Sequence, residues 1–418
     1  MLRTLIRYEC KKSIGNRFFL IVLCLFLLVQ MVWIGGLQEW LEYQDYLEQL
    51  SLHGMEPAKK MTVVERLAES RMVTEQIRKE HGIIGQSSPE EQSMFVSAME
   101  QKYGENVFDP MEMVTTEEMF APSGYFSGFQ DYVMINTYNQ LHGWNQAIDS
   151  VRQQVVDTAS ALAEQAAADG DNYALRRNQN IIRLYREPLS NITSGVYGWN
   201  TYLADNNISF LAAFLVLLAC SGSVSAEHDH KTWMLLHTAK NGKRKTLVAK
   251  YLSGALIAMA IVLLLHLASL CAVCYRSGFL GADQPVQALE QLSLCPYSLT
   301  VWQFALLRLL CQMAGAALLS LLLTTISAFS KSGILSYGAG TILLGGFLLL
   351  EFFLPHNGWL VSPMTLCYPH KYFDSYYTAN LLEYPVPWVI VHTVLWISIA
   401  WVLSYLADLI YHRKRESL

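Results

Sequence analysis

The chain has 418 residues, of which 52% are hydrophobic and only 16% are charged, whereas about 25% of the residues of a typical soluble domain are charged. This composition argues against an ordinary soluble protein and favours a chain that lies largely in a membrane. A helix that crosses a bilayer needs roughly 20 consecutive apolar residues. Six segments reach that length: 18–37, 207–226, 247–275, 303–329, 334–354 and 387–409.

The first apolar segment follows basic residues and could be taken for a cleavable signal peptide. Its apolar run is longer than the roughly 7 to 15 residues of a signal peptide, and no A-x-A-like cleavage site follows it. We therefore predict that 18–37 is a retained first span.

The basic residues are distributed asymmetrically around the six predicted spans. Lys and Arg close to a span favour the cytoplasmic side. Five of them precede the first span, and the segments that the span count then places inside carry 15, against only Arg276 and Lys371 in the two short outer loops. We predict a multi-pass protein of a bacterial cell membrane, with both termini in the cytoplasm.

Residues 38–206 form a long polar insert between the first and second spans. The insert contains 25 acidic and 12 basic residues, and the span count places it outside the cell. Ser88, Pro89 and Glu91 have the spacing of a helix N-terminus. Small and apolar residues at spacings of three and four predict a helix from about 145 to 168, a break near Gly170 and a second helix that ends near Arg186. The face of the first helix comprises Ile148, Val151, Val155, Ala159, Leu162 and Ala166.

The fold predicted from these patterns is an all-α integral membrane protein. It comprises a cytoplasmic N-terminus with the first span (1–37), an extracytoplasmic helical domain (38–206) and five further spans (207–418). The insert lacks cysteine, so packing of helical faces rather than disulfides must hold it together. Cys295 and Cys367 fall in outer loops, and the sequence is compatible either with a disulfide between them or with two separate thiols.

Several polar side chains fall inside the predicted spans, where charge is costly and commonly functional. Arg308 and Glu351 lie towards the outer ends of the fourth and fifth spans. They can form an intramembrane ion pair, or each can extend to the lipid headgroups. The other candidates are Gln30, His266, Gln312, His392 and Asp408. Small residues four apart, such as Ser336 and Gly340, favour close helix packing.

A polar, basic stretch, EHDHKTWMLLHTAKNGKRKTLVAKYL, joins the second and third spans. The pattern predicts a helix over about 227–241, with Lys240 in its last turn and Gly242 just beyond it. Trp233, Leu236, His237 and Lys240 share one face of that helix. Positive-inside topology, with the helix lying on anionic lipid, would by itself explain the charges.

The membrane part, about 250 residues, resembles the permease subunit of a type-2 ABC transporter. The resemblance rests on the N-terminal RYECKKSIGNRFFLI, on Glu227 after the second span, on Leu235-Leu236, and on Arg244 and Lys250 leading into the third span. It implies that 227–241 is a coupling helix that contacts a separate ATPase. The contact residues would be Glu227, Lys231, Trp233, Leu236, His237 and Lys240.

The resemblance implies an exporter of a drug, peptide, lipid-like molecule or ion. Its partners would be a cytoplasmic ABC ATPase, a second permease copy or paralogue and membrane lipid, with no nucleic acid. The sequence contains no phosphate loop G-x-x-x-x-G-K-[ST], so we expect ATP to bind the partner and this chain to hold no cofactor, metal or catalytic residue. The alternative is a non-transporting membrane sensor or assembly protein whose outer domain binds a ligand or cell-wall partner.

Overall fold

The computed structural model describes residues 2–34, 89–103, 127–187, 189, 192, 196–229, 242–277, 281–353 and 368–413. Helices dominate these ranges. In chain order they are α1 (Leu2–Ile14), α2 (Arg17–Val32), α3 (Pro89–Tyr103), α4 (Ser127–Asp169), α5 (Asn172–Arg186), α6 (Tyr197–Ala204), α7 (Asn207–Cys220), α8 (Ser225–Asp229), α9 (Gly242–Ser277), α10 (Val301–Phe329), α11 (Gly333–Phe353), α12 (His370–Phe373) and α13 (Trp388–Arg413), with the strands β1 (Thr378–Leu381) and β2 (Tyr384–Pro387) before α13.

The chain divides into two compact units. The first contains residues 1–30, 205–269 and 305–418, and the second contains 31–204 and 270–304. The first unit holds most of the apolar helical residues, and the second holds the helices of the insert.

Four helices in the described part of the chain are long and apolar enough to cross a membrane. They are Gly198–Glu227, Lys245–Tyr275, Val301–Phe329 and Trp388–Leu409, and they coincide with the second, third, fourth and sixth predicted spans. The first predicted span corresponds to α2, which follows α1 after a bend of 70°, and the two helices together meet the same criterion as one broken span. The fifth corresponds to α11, whose apolar stretch Gly333–Phe347 is shorter, so the count of six spans stays a prediction.

The apolar helices of the first unit approach each other closely. A Cβ atom on Gly340 of α11 would lie 2.7 Å from Leu217 of α7 and 2.9 Å from Leu323 of α10, so only glycine fits there without displacing a neighbour. One turn earlier, Ser336 donates a hydrogen bond to the carbonyl of Ser221. The predicted packing role of these two small residues is thus confirmed.

The prediction of an all-α fold is wrong at residues 378–387, where β1 and β2 form an antiparallel hairpin. Its two turn residues, Leu382 and Glu383, have φ angles of 51° and 65°. Such left-handed pairs normally use Asn or Gly, so the sequence offered no turn signal. Asn380 stabilises the turn by accepting a hydrogen bond from the Glu383 amide at 3.0 Å.

In the second unit, α4 and α5 pack as an antiparallel helical pair joined at Gly170. The helix predicted over about 145–168 is confirmed, although α4 begins earlier, at Ser127. Asp171 caps α5 by accepting a hydrogen bond from the Ala174 amide. The predicted face of α4 is confirmed at Ile148, Ala159 and Ala166, which are buried, but Leu162 is exposed and its neighbour Ala163 is buried instead.

Buried Arg152 of α4 closes the C-terminal end of α5. One guanidinium nitrogen donates to the carbonyls of Leu184, Tyr185 and Glu187 at 3.0 to 3.2 Å. The last carbonyls of a helix lack partners within the helix, and a cation there interacts favourably with the helix dipole. Sequence spacing did not indicate this role, because it depends on how the two helices pack.

Candidate functional site

Of the residues predicted to contact an ATPase, the structure describes one, Glu227. Lys231, Trp233, Leu236, His237 and Lys240 lie outside the described residues, and their roles stay predictions. The described chain ends in α8 on one side of this segment and resumes with α9 on the other. The residues that hold these two flanking ends are therefore the observable part of the site.

Lys250, on the third turn of α9, lies between two carboxylates. Its ammonium nitrogen is 2.7 Å from a carboxylate oxygen of Glu227 and 3.4 Å from one of Glu9 in α1. The ammonium also donates to the main-chain carbonyl of Ser223. Only 2% of Lys250 is exposed. We refer to Glu9, Glu227 and Lys250 as the Lys250 cluster.

The Lys250 cluster joins α8 and α9 to α1, which is more than 200 residues away in sequence. A buried ammonium group is costly unless it is paired, and removing one partner of a buried ion pair costs about 3 to 5 kcal/mol. The ammonium therefore favours the arrangement in which α1 and α8 both stay against α9. Val224, just before α8, packs in a small apolar cluster with Leu247 and Tyr251 of α9.

Further hydrogen bonds fix the turn that precedes residues 230–241. The Ser327 hydroxyl of α10 accepts hydrogen bonds from the amides of Val224 and Ser225, each at 3.0 Å, and these amides lie at the start of α8. The Asp229 carboxylate accepts from the Gly333 amide at 2.8 Å, at the start of α11. The turn is thus held by α9, α10 and α11 together.

A second buried polar group lies near the opposite ends of these helices. The apolar helix Gly198–Glu227 is interrupted at Asp205, between α6 and α7. Asp205 accepts hydrogen bonds from the Asn207 amide at 3.0 Å and from the Gln30 side chain, and Arg308 donates to its main-chain carbonyl. We refer to Gln30, Asp205 and Arg308 as the Asp205 junction.

Unpaired main-chain groups at helix ends account for the hydrogen bonds of the Asp205 junction. The Asp205 carboxylate lies at the N-terminal end of α7, where main-chain amides lack partners within the helix, and Arg308 donates to the Asp205 carbonyl, just beyond the end of α6. Gln30 also donates to the Ser269 hydroxyl at 3.0 Å. The junction thereby links α2, α7, α9 and α10.

The polar contacts continue one turn further along the same helices. Gln312 donates to the Ser209 hydroxyl at 2.9 Å and accepts a hydrogen bond from the His266 ring. Four of the intramembrane polar residues singled out from the sequence thus lie in two adjacent groups: Gln30, Arg308, His266 and Gln312. Asp205 was missed because it precedes the predicted start of the second span and was counted with the insert.

The predicted ion pair of Arg308 with Glu351 stays a prediction. The structure places the Arg308 guanidinium against the Asp205 carbonyl, while the side chain of Glu351 lies outside the described residues. The alternatives for Cys295 and Cys367 also stay open, because residue 367 falls in the undescribed range 354–367.

His392 of α13 forms a third buried polar contact. The Trp396 indole donates to His392 Nε2 at 2.9 Å, so the neutral ring carries its hydrogen on Nδ1, which contacts the Tyr372 hydroxyl. These contacts fix α12 to α13. Each available ring nitrogen has a partner in the fold, which favours a structural role.

A family model described as ABC-2 family transporter protein matches residues 3–414. The match covers nearly the whole chain and includes the insert as well as the apolar helices. No curated protein and no solved structure matches the chain.

Proposed function

This chain belongs to the ABC-2 transporter family, and from that premise we propose that it is the membrane permease of an ATP-driven exporter. The single observation that carries the proposal is the family match over residues 3–414, on a multi-pass chain with four membrane-capable helices. The proposed direction, export, follows from the resemblance to type-2 ABC transporters noted in the sequence. The proposed substrate is a drug, a peptide, a lipid-like molecule or an ion.

The energy for transport comes from a separate ATPase in this proposal. ATP hydrolysis in such machines uses a glycine-rich loop and its lysine to hold the phosphates, and the sequence of this chain has no such motif. A cytoplasmic ATPase subunit must therefore bind the permease. A second permease, either the same chain or a paralogue, completes the transport path.

The contact with the ATPase lies at residues 227–241, with Lys231, Trp233, Leu236, His237 and Lys240 at its surface. The support is the set of contacts around α8. Glu227 binds Lys250 of α9, the α8 amides bind Ser327 of α10, and Asp229 binds the start of α11. Force applied by the ATPase to this segment would therefore reach three apolar helices directly.

The experiment is purification of the tagged permease from its native host, with ATP hydrolysis as the readout. The double variant Trp233→Glu/Lys240→Glu should reduce the co-purified ATPase activity to background, because it places acidic groups on the proposed contact face. Gln179→Glu/Arg183→Glu is a matched control, since it changes the net charge equally on exposed residues of α5. The control should retain full activity.

Equal ATPase activity in the two double variants would contradict the contact assignment. Absence of ATPase activity from the wild-type preparation, even after mild cross-linking before extraction, would contradict the proposed ATP-driven function itself. In that case the sensor alternative would gain support.

A further inference from the structure

We propose that the exposed face of α1 binds the headgroups of anionic phospholipids, through a stripe formed by Arg3, Arg7 and Lys11. The three residues are spaced by four, so they lie along one side of the helix. All three are exposed. The inference needs only that the chain spans a membrane and does not depend on ATP-driven export.

The bend between α1 and α2 sets the orientation of α1. A Cβ atom on Gly15 would lie 2.7 Å from the Lys11 carbonyl oxygen, so glycine is required where α1 ends. Asn16 then starts α2 by accepting a hydrogen bond from the Phe18 amide at 3.0 Å. The axes of α1 and α2 differ by 70°. When α2 crosses the bilayer, α1 therefore lies close to the bilayer surface.

The opposite face of α1 is fixed to the helix bundle. Glu9 is the only acidic residue in α1, it is buried, and it pairs with Lys250. Two residues along an α-helix correspond to a rotation of about 200°, so Glu9 faces away from Arg7 and Lys11. With the acidic residue turned inward, the charged side chains on the exposed face are all basic, and Lys12 adds a further positive charge beside exposed Tyr8.

Charge complementarity identifies the occupant of this face. A basic stripe on a helix that lies along the bilayer surface is within reach of phosphate groups, and Lys or Arg near an anionic leaflet is attracted to it. The exposed aromatic ring of Tyr8, 65% accessible, is of the type that favours the headgroup level. A protein partner for the stripe is the competing occupant.

The test is hydrogen exchange of the α1 amides in the full-length protein, purified and reconstituted into lipid nanodiscs without a partner protein. One set contains phosphatidylcholine alone, and the other contains equal parts of phosphatidylcholine and phosphatidylglycerol. The stripe predicts exchange that is about tenfold slower in the anionic discs. Salt at about 1 M, where the Debye length is about 3 Å, should remove most of that difference.

Variants assign the effect to the stripe. Arg3→Gln/Arg7→Gln/Lys11→Gln should abolish the slowing, whereas Arg3→Lys/Arg7→Lys should retain it because the charges remain.

A control that removes three positive charges from α5, Arg177→Gln/Arg183→Gln/Arg186→Gln, should behave as the wild type. Equal exchange of α1 in the two kinds of disc would overturn the proposal and favour the protein partner. The proposal would also be overturned if the α1 amides of Arg3→Gln/Arg7→Gln/Lys11→Gln were slowed by anionic lipid as much as those of the wild type.

Discussion

The helix bundle contains buried charged side chains near both of its ends, and these charges are stabilised differently at the two ends. In the Lys250 cluster, one ammonium group lies between two side-chain carboxylates. In the Asp205 junction, the carboxylate of Asp205 binds an amide at the start of α7, and the guanidinium of Arg308 binds a carbonyl just beyond α6. The charges of the Lys250 cluster are stabilised by pairing between side chains, whereas those of the Asp205 junction are stabilised mainly by main-chain groups at the ends of α6 and α7.

This difference predicts how each end responds to change. Side-chain pairs leave an uncompensated charge when one partner is lost. Helix ends remain where they are when a side chain is substituted, so an uncharged residue of similar shape can keep part of the interaction. The Lys250 cluster lies at the same end of the bundle as the segment proposed to contact the ATPase. Its ion pairs would therefore transmit movement of that segment to the helices, and the loss of a single side chain would weaken this connection.

The largest effect is expected for Lys250→Met, which leaves Glu9 and Glu227 buried together without a cation. We expect a loss of about 3 to 5 kcal/mol in the free energy of unfolding, measured by thermal or denaturant unfolding of the full chain in detergent. Lys245→Met is the matched control, because Lys245 is exposed on the same helix, and it should change stability by less than about 0.5 kcal/mol.

The triple variant Glu9→Gln/Glu227→Gln/Lys250→Met should recover most of that loss, since it removes all three charges at once. Recovery would confirm that the cluster acts through charge pairing. A triple variant less stable than Lys250→Met alone would instead indicate that the carboxylates make stronger contacts elsewhere.

A smaller effect is expected at the Asp205 junction. Arg308→Gln should cost about 2 to 3 kcal/mol, because it removes a charged hydrogen bond to a buried carbonyl. Asp205→Asn should cost about 1 kcal/mol, since its amide oxygen can still accept from the Asn207 amide. A loss at Asp205→Asn as large as that of Lys250→Met would break the proposed contrast between side-chain pairing and helix ends.

The predicted Arg308–Glu351 ion pair can be tested on the same variants. A double-mutant cycle with Arg308→Gln and Glu351→Gln measures the coupling of the two side chains. A coupling energy above about 0.5 kcal/mol would support the pair, and additive effects would argue that Arg308 acts through Asp205 alone.

A further effect concerns pH. Burial lowers the pKa of His370 in α12 to about 4, and the positive charges of Arg308 and Lys371 add to the shift. Because the pKa is lower in the folded state than in the unfolded state, the contribution of His370 to stability is complete above about pH 6.5. It declines as the pH falls towards 4.

Asp374 acts in the opposite direction over part of the same range, because burial raises its pKa to about 6. The comparison of His370→Gln with the wild type isolates the histidine contribution. The variant should lose less stability than the wild type between pH 6.5 and pH 4, measured by unfolding at each pH. Parallel pH profiles would show that His370 does not titrate in this way.

Many of the apolar helices could be predicted from the sequence, because long apolar runs are local signals. The segments 247–275, 303–329 and 387–409 coincide closely with apolar helices. The same holds for the helices on either side of Gly170, where small and apolar spacing marks the elements. These patterns specify which segments form helices but not how the helices pack.

The buried polar contacts required tertiary structure. Glu9 gives no local sign that it meets Lys250, which lies 241 positions away. Asp205 stands at the boundary of an apolar run, where composition assigns it to the insert. The hairpin at 378–387 was missed because its turn consists of Leu382 and Glu383, which rarely adopt positive φ. In each case the stabilising partner lies outside the local pattern.

A cytoplasmic ATPase can contact residues 230–241 only if this segment lies on the cytoplasmic side of the membrane. A Gly242→Cys variant should react with a membrane-impermeant thiol reagent only after the cells are lysed, with the labelling of the wild-type chain subtracted as background. Labelling of Gly242→Cys in intact cells, to the same extent as in lysed cells, would place the segment outside and contradict its proposed contact with a cytoplasmic ATPase.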